Sequence, residues 1–265
     1  MSFLIWVSHH RLWAGAIGFT VIVAAAIVAV WFVVFRSPGT QINQIQALDI
    51  YHRAQKTQPS ANALLPEPGI YRYRSSGSEH LSMGGISRTF PSFSDMIVTE
   101  GKCATMQWEP LVQHTEGLVM CRQGDGALGI ASTSSYEQIA GTQTSSTITC
   151  PSNTYLVPPR AFIGERWSST CRSKGERIVF DGRVLGTSTV DVSGHPVATV
   201  HTHLTLSFSG AEDGTNPNDY WVSVANGLIV RQRETVAITQ QAGPLGAIHY
   251  TEQMAIALSS AQPTR

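Results

Sequence analysis

Residues 12–35 read LWAGAIGFTVIVAAAIVAVWFVVF, 24 residues without a charge. As a helix rising 1.5 Å per residue the run reaches about 36 Å, enough to cross a hydrocarbon core of roughly 30 Å with some tilt. Trp13 and Trp31 stand near its ends, where indoles favour the membrane interface. The run is too long for the apolar part of a secretory signal, and Phe35-Arg36-Ser37 offers no small-residue cleavage site. No Cys follows it closely enough to carry a lipid. The sequence therefore predicts a short cytoplasmic tail at 1–11 and a permanent transmembrane helix at 12–35, with the lipid bilayer as its partner. Everything else must fold on one side of that bilayer.

Charge does not choose the side. Arg11, the amino terminus and the pair His9 and His10 precede the run and Arg36, Arg53 and Lys56 follow it, so the positive-inside count is nearly balanced. Cysteine usage does choose. Cys103, Cys121, Cys150 and Cys171 all lie beyond the run, and an even number suits an oxidising compartment. The expected location is the cell membrane, single-pass, with the amino terminus cytoplasmic and the large domain outside. The four cysteines form no CxxC pair, which argues against both a zinc cluster and a redox dithiol. Of the three possible pairings, Cys103–Cys121 and Cys150–Cys171 are expected. The first flanks two apolar runs about a hairpin, and the second closes a loop stiffened by Pro158-Pro159. In the chain-entropy model each loop is worth about 3 kcal/mol.

Lys plus Arg and Asp plus Glu are both 18, so no net field recruits nucleic acid. The bias of 15 Arg to 3 Lys fits a GC-rich bacterial genome, and no N-glycosylation sequon points to eukaryotic secretion.

Residues 36–68 are polar. Ile42, Ile45, Leu48 and Tyr51 recur every three residues, predicting a short juxtamembrane helix over about 41–56 whose stripe lies on the bilayer or on the domain. Pro59, Pro66 and Pro68 make a linker after it. From 69 to 260 the chain turns to runs of Val, Ile, Thr, Tyr and Phe, with 261–265 as a tail. Turns are expected at Ser76-Gly77, Asp181-Gly182, Ser193-Gly194, Asn226-Gly227 and Gly243-Pro244, and a short helical piece at 134–139. The last third reads as strands at 183–192, 197–208, 220–224, 228–239 and 245–258. Strands this long suit a curved antiparallel sheet, a half-barrel or a barrel-like body wrapping a helix or a cavity. The fold class is thus mainly β, with one N-terminal transmembrane helix and one short juxtamembrane helix.

Two places carry candidate chemistry. His201 and His203 share the polar face of a strand with Thr199, Thr205 and Ser207, at a spacing able to chelate. The preceding strand of the hairpin places only Ser188 and Gly186, or Thr187 and Leu185, opposite them. Without a third ligand they read as solvated strand histidines and a weak metal candidate. The second place is an anomaly. Leu228, Val230, Val236 and Ile238 define an apolar face on which Gln232 and Glu234 also lie. Ile248, Tyr250, Met254, Ile256 and Leu258 define another, interrupted by Glu252. A hairpin would set Glu252 opposite Gln232 or Glu234. A buried carboxylate without a partner costs several kcal/mol. Three readings follow: a bulge that turns these residues to water, a solvated mouth or cavity with or without a paired Arg, or an acid/base carboxylate pair. Gln232, Glu234, Tyr250 and Glu252 are the cavity candidates.

No hydrolase elbow, metalloprotease helix, phosphate loop or dinucleotide fingerprint is present, and no cofactor is implied. The serine-rich stretches at 75–80 and 131–137 read as surface loops. Tyr71, Tyr73, Trp108, Trp167 and Trp221 read most simply as core, with cavity lining as the alternative.

GIYRYRSSGSE, GERWSSTC, the spaced cysteines and YWVSVANGLIVRQRETV…YTEQMAIALSSAQP resemble a group of actinobacterial envelope proteins with one anchor and a β-rich exported domain. The last fifty or so residues also look like the closing strands of the LolA and LppX type of lipoprotein carrier. That resemblance implies a curved half-barrel whose concave face holds acyl chains, though here an apolar run replaces the lipidated Cys. It assigns no functional residue. The combined expectation is a tethered binding domain for a lipid or an envelope protein, not an enzyme. The alternative is a hydrolase using the carboxylate pair or a His-based metal site.

Overall fold

Gly77 and Gly182 do not make turns; they sit inside long strands. A Cβ on Gly77, at φ 138°, would meet the Gln253 carbonyl oxygen at 1.9 Å, and one on Gly182 would meet the Trp167 ring at 2.0 Å. Both glycines allow a close approach within the sheet, a role the sequence cannot distinguish from a turn. Gly77→Ala should therefore cost about 1–3 kcal/mol by thermal or urea melting, as overpacking does elsewhere. Ser193-Gly194, by contrast, is a true hairpin turn, with both residues at positive φ (52° and 84°).

The computed structural model describes residues 39–55, 64–139, 142–173, 175–210, 212–241 and 246–265. The predicted membrane run at 12–35 and the Gly243-Pro244 turn lie outside them. Among the described residues no helix is long and apolar enough to cross a membrane. The described residues hold one α-helix, α1 (Gln44–Gln55), and fourteen strands: β1 (Gly69–Leu81), β2 (Ile86–Thr89), β3 (Phe93–Thr99), β4 (Ala104–Leu111), β5 (His114–Arg122), β6 (Leu128–Ile139), β7 (Thr142–Thr149), β8 (Tyr155–Val157), β9 (Arg166–Ser173), β10 (Glu176–Val192), β11 (His195–Gly210), β12 (Glu212–Ser223), β13 (Ile229–Gln241) and β14 (Ala247–Leu258). Each late strand falls where expected, but most run longer. The helical piece expected at 134–139 and the loops expected at 75–80 and 131–137 are strand instead, within β6 and β1.

The strands form one antiparallel sheet that closes on itself. β1 pairs with β3 and β2 along one edge and with β14 along the other. From β14 the order runs β13, β12, β11, β10, β9, β7, β6, β5, β4, β3 and back to β1. Closure removes the exposed edges that an open half-barrel would leave. Of the two shapes expected, this is the barrel-like one. The seam is β7 against β9, where the single aligned pair is Thr149↔Arg172. The Cys150–Cys171 disulfide stands beside that pair, while Cys103–Cys121 ties the start of β4 to the end of β5. Both expected pairings are present, and no cysteine is free.

Burial is uneven along the barrel. Inward side chains at the end holding the β10–β11 turn and the chain terminus are sealed, among them Tyr73, Phe180, Leu204, Met120, Leu128 and Ile256. The Tyr73 hydroxyl donates to the Ile229 carbonyl across that end. Toward the other end the same faces open: along β13, Val236 is buried, Ile238 half-buried and Gln240 exposed. Phe208 on β11 and Ile248 on β14 are likewise only half-buried. The barrel therefore has a filled floor and one mouth.

The segment before β1 is docked on the outside. Val112 N–H donates to the Thr40 carbonyl (2.7 Å) and Thr40 N–H to Gln113 Oε1 (2.8 Å), which fixes residue 40 to the β4–β5 turn at the mouth end. α1 opens with a capping box, in which Asn43 Oδ1 accepts from Gln46 N–H and Gln46 Oε1 from Asn43 N–H. Its buried stripe is Ala47 and Tyr51 with Ile42 before it, packed on Ile70 and Ile97. Ile45, expected in that stripe, is exposed (73 %), because the contact follows the helical i, i+4 row and not the three-residue spacing. The stripe thus lies on the domain. The expected tail at 261–265 is docked too: Thr264 exchanges backbone hydrogen bonds with Ile70.

Candidate functional site: the polar layer beneath the barrel mouth

A cavity of about 300 Å³ lies inside the barrel below the mouth. Below a rim with Glu176, Glu212 and Gln240, its upper wall is apolar, with Ile178, Phe208, Val236, Ile238 and Ile248; deeper, a polar group of His114, Glu116, Gln232, Glu234, Tyr250 and Glu252 lies among Met96, Met106, Trp108 and Ile229. The four cavity candidates therefore face the same space. The β13–β14 pairing runs without a shift through 232–236, so no bulge turns them to water; the irregularity on β13 is with β12, near Trp221 and Val222. The register is neither of the two expected, being two residues from the one that pairs Glu252 with Glu234 and four from the one that pairs it with Gln232. Glu252 stands opposite Val236, and Glu234 opposite Met254.

Glu234 is satisfied by amides. Asn216 Nδ2 donates to its Oε1 (2.5 Å) and Gln232 Nε2 to its Oε2 (2.9 Å), while Gln232 also reaches Asn218 Oδ1 (3.1 Å) and Asn218 Nδ2 donates to Asn216 Oδ1 (2.5 Å). The ring supplies hydrogen bonds but no positive charge. Burial and the nearby Glu116 and Glu252 push the Glu234 carboxyl well above the usual carboxylate range.

The other half centres on a residue the sequence reading missed. His114, at the start of β5, is buried (2 %). Its Nδ1 lies 2.8 Å from Glu79 Oε2 and also contacts Glu137 Oε1. Arg88 Nη1 bonds Glu79 Oε1 (2.6 Å) and lies 3.6 Å from Glu137 Oε2, and Arg88 Nη2 donates to the Gln138 carbonyl (2.6 Å). An Arg is present, as the cavity reading allowed, but it pairs with Glu79 and not with Glu234 or Glu252. Burial favours a neutral His114 ring, yet Glu252, Glu116, Glu137 and Glu79 outweigh it and hold the imidazole well above its ordinary value. For Glu79, burial is outweighed by His114 and Arg88, and its carboxyl is held low.

Tyr250 Oη lies 3.1 Å from Glu79 Oε2 and 2.5 Å from Glu252 Oε2. One hydroxyl hydrogen cannot serve two ionised carboxylates, so one of the two contacts calls for a proton on a carboxyl. Glu252 is that group, since burial first and Glu116 and Glu79 after it, against the pull of His114, raise it to about 8. A signal for His114 existed in the sequence. His114 and Glu116 interrupt the alternating face that Leu118 and Met120 continue, the same anomaly that marked Glu234 and Glu252.

His201 and His203 lie on the outer face, half-buried. The β10 neighbours are Gly186 and, after a bulge at Leu185, Arg183. The third ligand-type group comes from the other neighbour, β12: Asp219 Oδ1 is 3.1 Å from His201 Nε2 and 3.2 Å from His203 Nδ1. His201 also stacks on Trp221 at 4.0 Å, which places that Trp on the outside and not in the core.

No family model and no curated protein matches the chain. Among solved structures, the hypothetical lipoprotein YmcC of Escherichia coli is similar at a TM-score of 0.31, 12% identical, over 81% of this chain and 97% of that one. A protein of Parabacteroides distasonis, provisionally classed as a lipoprotein, is similar at 0.30, 9% identical, over 76% and 99%. Neither carries the name of the LolA and LppX carriers, and neither comes from an actinobacterium. Likeness this slight bears on neither fold nor function.

Proposed function

We propose that this chain is a membrane-tethered, extracytoplasmic and non-catalytic domain that takes a lipid or similarly apolar ligand into its barrel. The observation that carries the reading is the cavity, open at one end, apolar along its upper wall and polar at its base. Its size falls at the lower end of small-molecule pockets, roughly 300–1,000 Å³. An envelope-protein partner would call for a filled interior and an exposed apolar patch, so the ligand reading is preferred. The two disulfides support an oxidising compartment.

The test uses the full chain in its own membrane. Cells fed a diazirine-bearing fatty acid are irradiated, and the labelled peptides mapped by mass spectrometry. Label is expected on peptides holding Phe208, Ile238 and Ile248. Ile238→Arg, which sets a charge at the half-buried rim, should remove the barrel label while leaving label at 12–35. Label confined to 12–35 in the parent protein would end the lipid reading.

A further inference from the structure

Five carboxylates, Glu79, Glu116, Glu137, Glu234 and Glu252, meet at the base of the cavity, against one guanidinium and one imidazole. Charge alone does not make a site there, because protons could neutralise the excess. What distinguishes the place is buried atoms without a hydrogen-bond partner: His114 Nε2 and Glu252 Oε1, beside Arg88 Nε and Glu137 Oε2, of which the last lies 3.6 Å from Arg88 Nη1. His114 and Glu252 are each only 2 % exposed. A buried polar atom left unpaired is costly, so two on neighbouring residues call for a partner.

Ligand-type atoms of His114, Glu116 and Glu252 all lie within 4.8 Å of one another. His114 Nε2 stands 3.7 Å from Glu116 Oε1. That is too long for a hydrogen bond, but close to the roughly 3.3–3.5 Å between two ligands of a tetrahedral ion bound at about 2.0–2.2 Å. The surrounding contacts orient two of the three ligands. Glu79 holds the opposite ring nitrogen of His114 and is itself held by Arg88. Tyr250 holds Oε2 of Glu252, and Oε1 has no hydrogen-bond partner. Carboxylate–imidazole pairs of this form commonly back a metal-binding histidine. The alternative grouping, Glu79 with His114 and Glu137, is unsuited because Arg88 already occupies Glu79.

We infer that the base of the cavity is a divalent-metal site, with His114 Nε2, Glu116 and Glu252 as ligands and zinc as the ion they suit best. One imidazole and two carboxylates match zinc or its first-row neighbours and leave one position of a tetrahedron open for water or a ligand. His114 and Glu116 come from β5 at i and i+2, and Glu252 comes from β14, so the ion joins two walls of the barrel. The inference does not depend on the cavity's ligand being a lipid.

The full chain, purified in detergent and stripped with a chelator, is titrated with zinc alone; stoichiometry is read by mass spectrometry of the metal, and cobalt substitution supplies a visible spectrum. One zinc per chain and a tetrahedral cobalt spectrum are expected. Glu252→Gln and Glu116→Gln should each weaken binding at least ~100-fold, beyond the loss typical of an outer partner, with far-UV circular dichroism unchanged. These variants are preferred to His114→Ala, which removes a buried side chain that folding itself needs. His201→Ala should bind as the parent does. Absence of stoichiometric zinc overturns the inference, as does zinc that survives both carboxamide variants or is lost in His201→Ala. Fatty-acid labelling of the barrel is read separately, so the failure of either claim leaves the other standing.

Discussion

Replacing Cys150 and Cys171 together by serine should destabilise the domain by about 3 kcal/mol, the loop-closure value for a 21-residue separation. The effect should also be local. Elsewhere around the ring each strand is held by a run of paired residues, but β7 and β9 share one aligned pair beside this bridge. Amide exchange in β7 and β9 should accelerate well before the rest of the sheet, whereas serine at Cys103 and Cys121 should cost comparable stability without opening the seam. Uniform exchange across the barrel in the first variant would show that the wall at β7–β9 closes without its staple.

The second large effect is a dependence of stability on pH centred on Glu109. Its side chain is buried (4 %), on the outward face of β4, opposite Asp95 of β3, which is in turn opposite Arg72 of β1. Burial raises Glu109 to about 7, against hydrogen bonds from Thr115 and Gln107 and the nearby His114. Burial raises Asp95 as well, against Arg72. A carboxyl raised in the folded state binds its proton more tightly there than in the unfolded chain. Its contribution is complete below about pH 4.5 and is lost as pH rises toward 7, by roughly 3 kcal/mol for an elevation of this size. Glu79, held low, acts in the opposite sense and only at more acidic pH. Glu109→Gln keeps the shape and the hydrogen bonds to Gln107 and Thr115 while removing the titration. Urea denaturation at pH 5 and at pH 8 should show the variant close to the parent at the lower pH and about 2–3 kcal/mol more stable at the higher one. An equal gap at both values would assign the effect to packing.

Some of this was legible in the residues. Glu234 and Glu252 could be found because each breaks an apolar alternation that is otherwise long and clean. The disulfides could be paired because sequence neighbours closed the most plausible loops. Glu79 and His114 obey the same rule but were hidden by their settings. Glu79 follows Gly77 and three serines, a composition typical of loops, and His114 follows Pro110 at the start of its strand. Arg88 could not be placed at all, since its ion pair depends on β2 folding back along β1. The closure of the sheet was similarly out of reach. It rests on β1 meeting β14, strands almost two hundred residues apart, and no local pattern encodes which edge finds which.

The hydrogen bonds that fix residue 40 to the β4–β5 turn bear on how far the barrel can travel. If 12–35 crosses the bilayer as proposed, only residues 36–39 would separate Phe35 from a point beside the mouth, a leash of roughly 15–18 Å at full extension. Under that proposal so short a leash would keep the opening near the headgroups and leave no reach for a shuttle. Any apolar guest would be exchanged with the adjacent leaflet or with a visiting protein, as at a dock and not on a ferry.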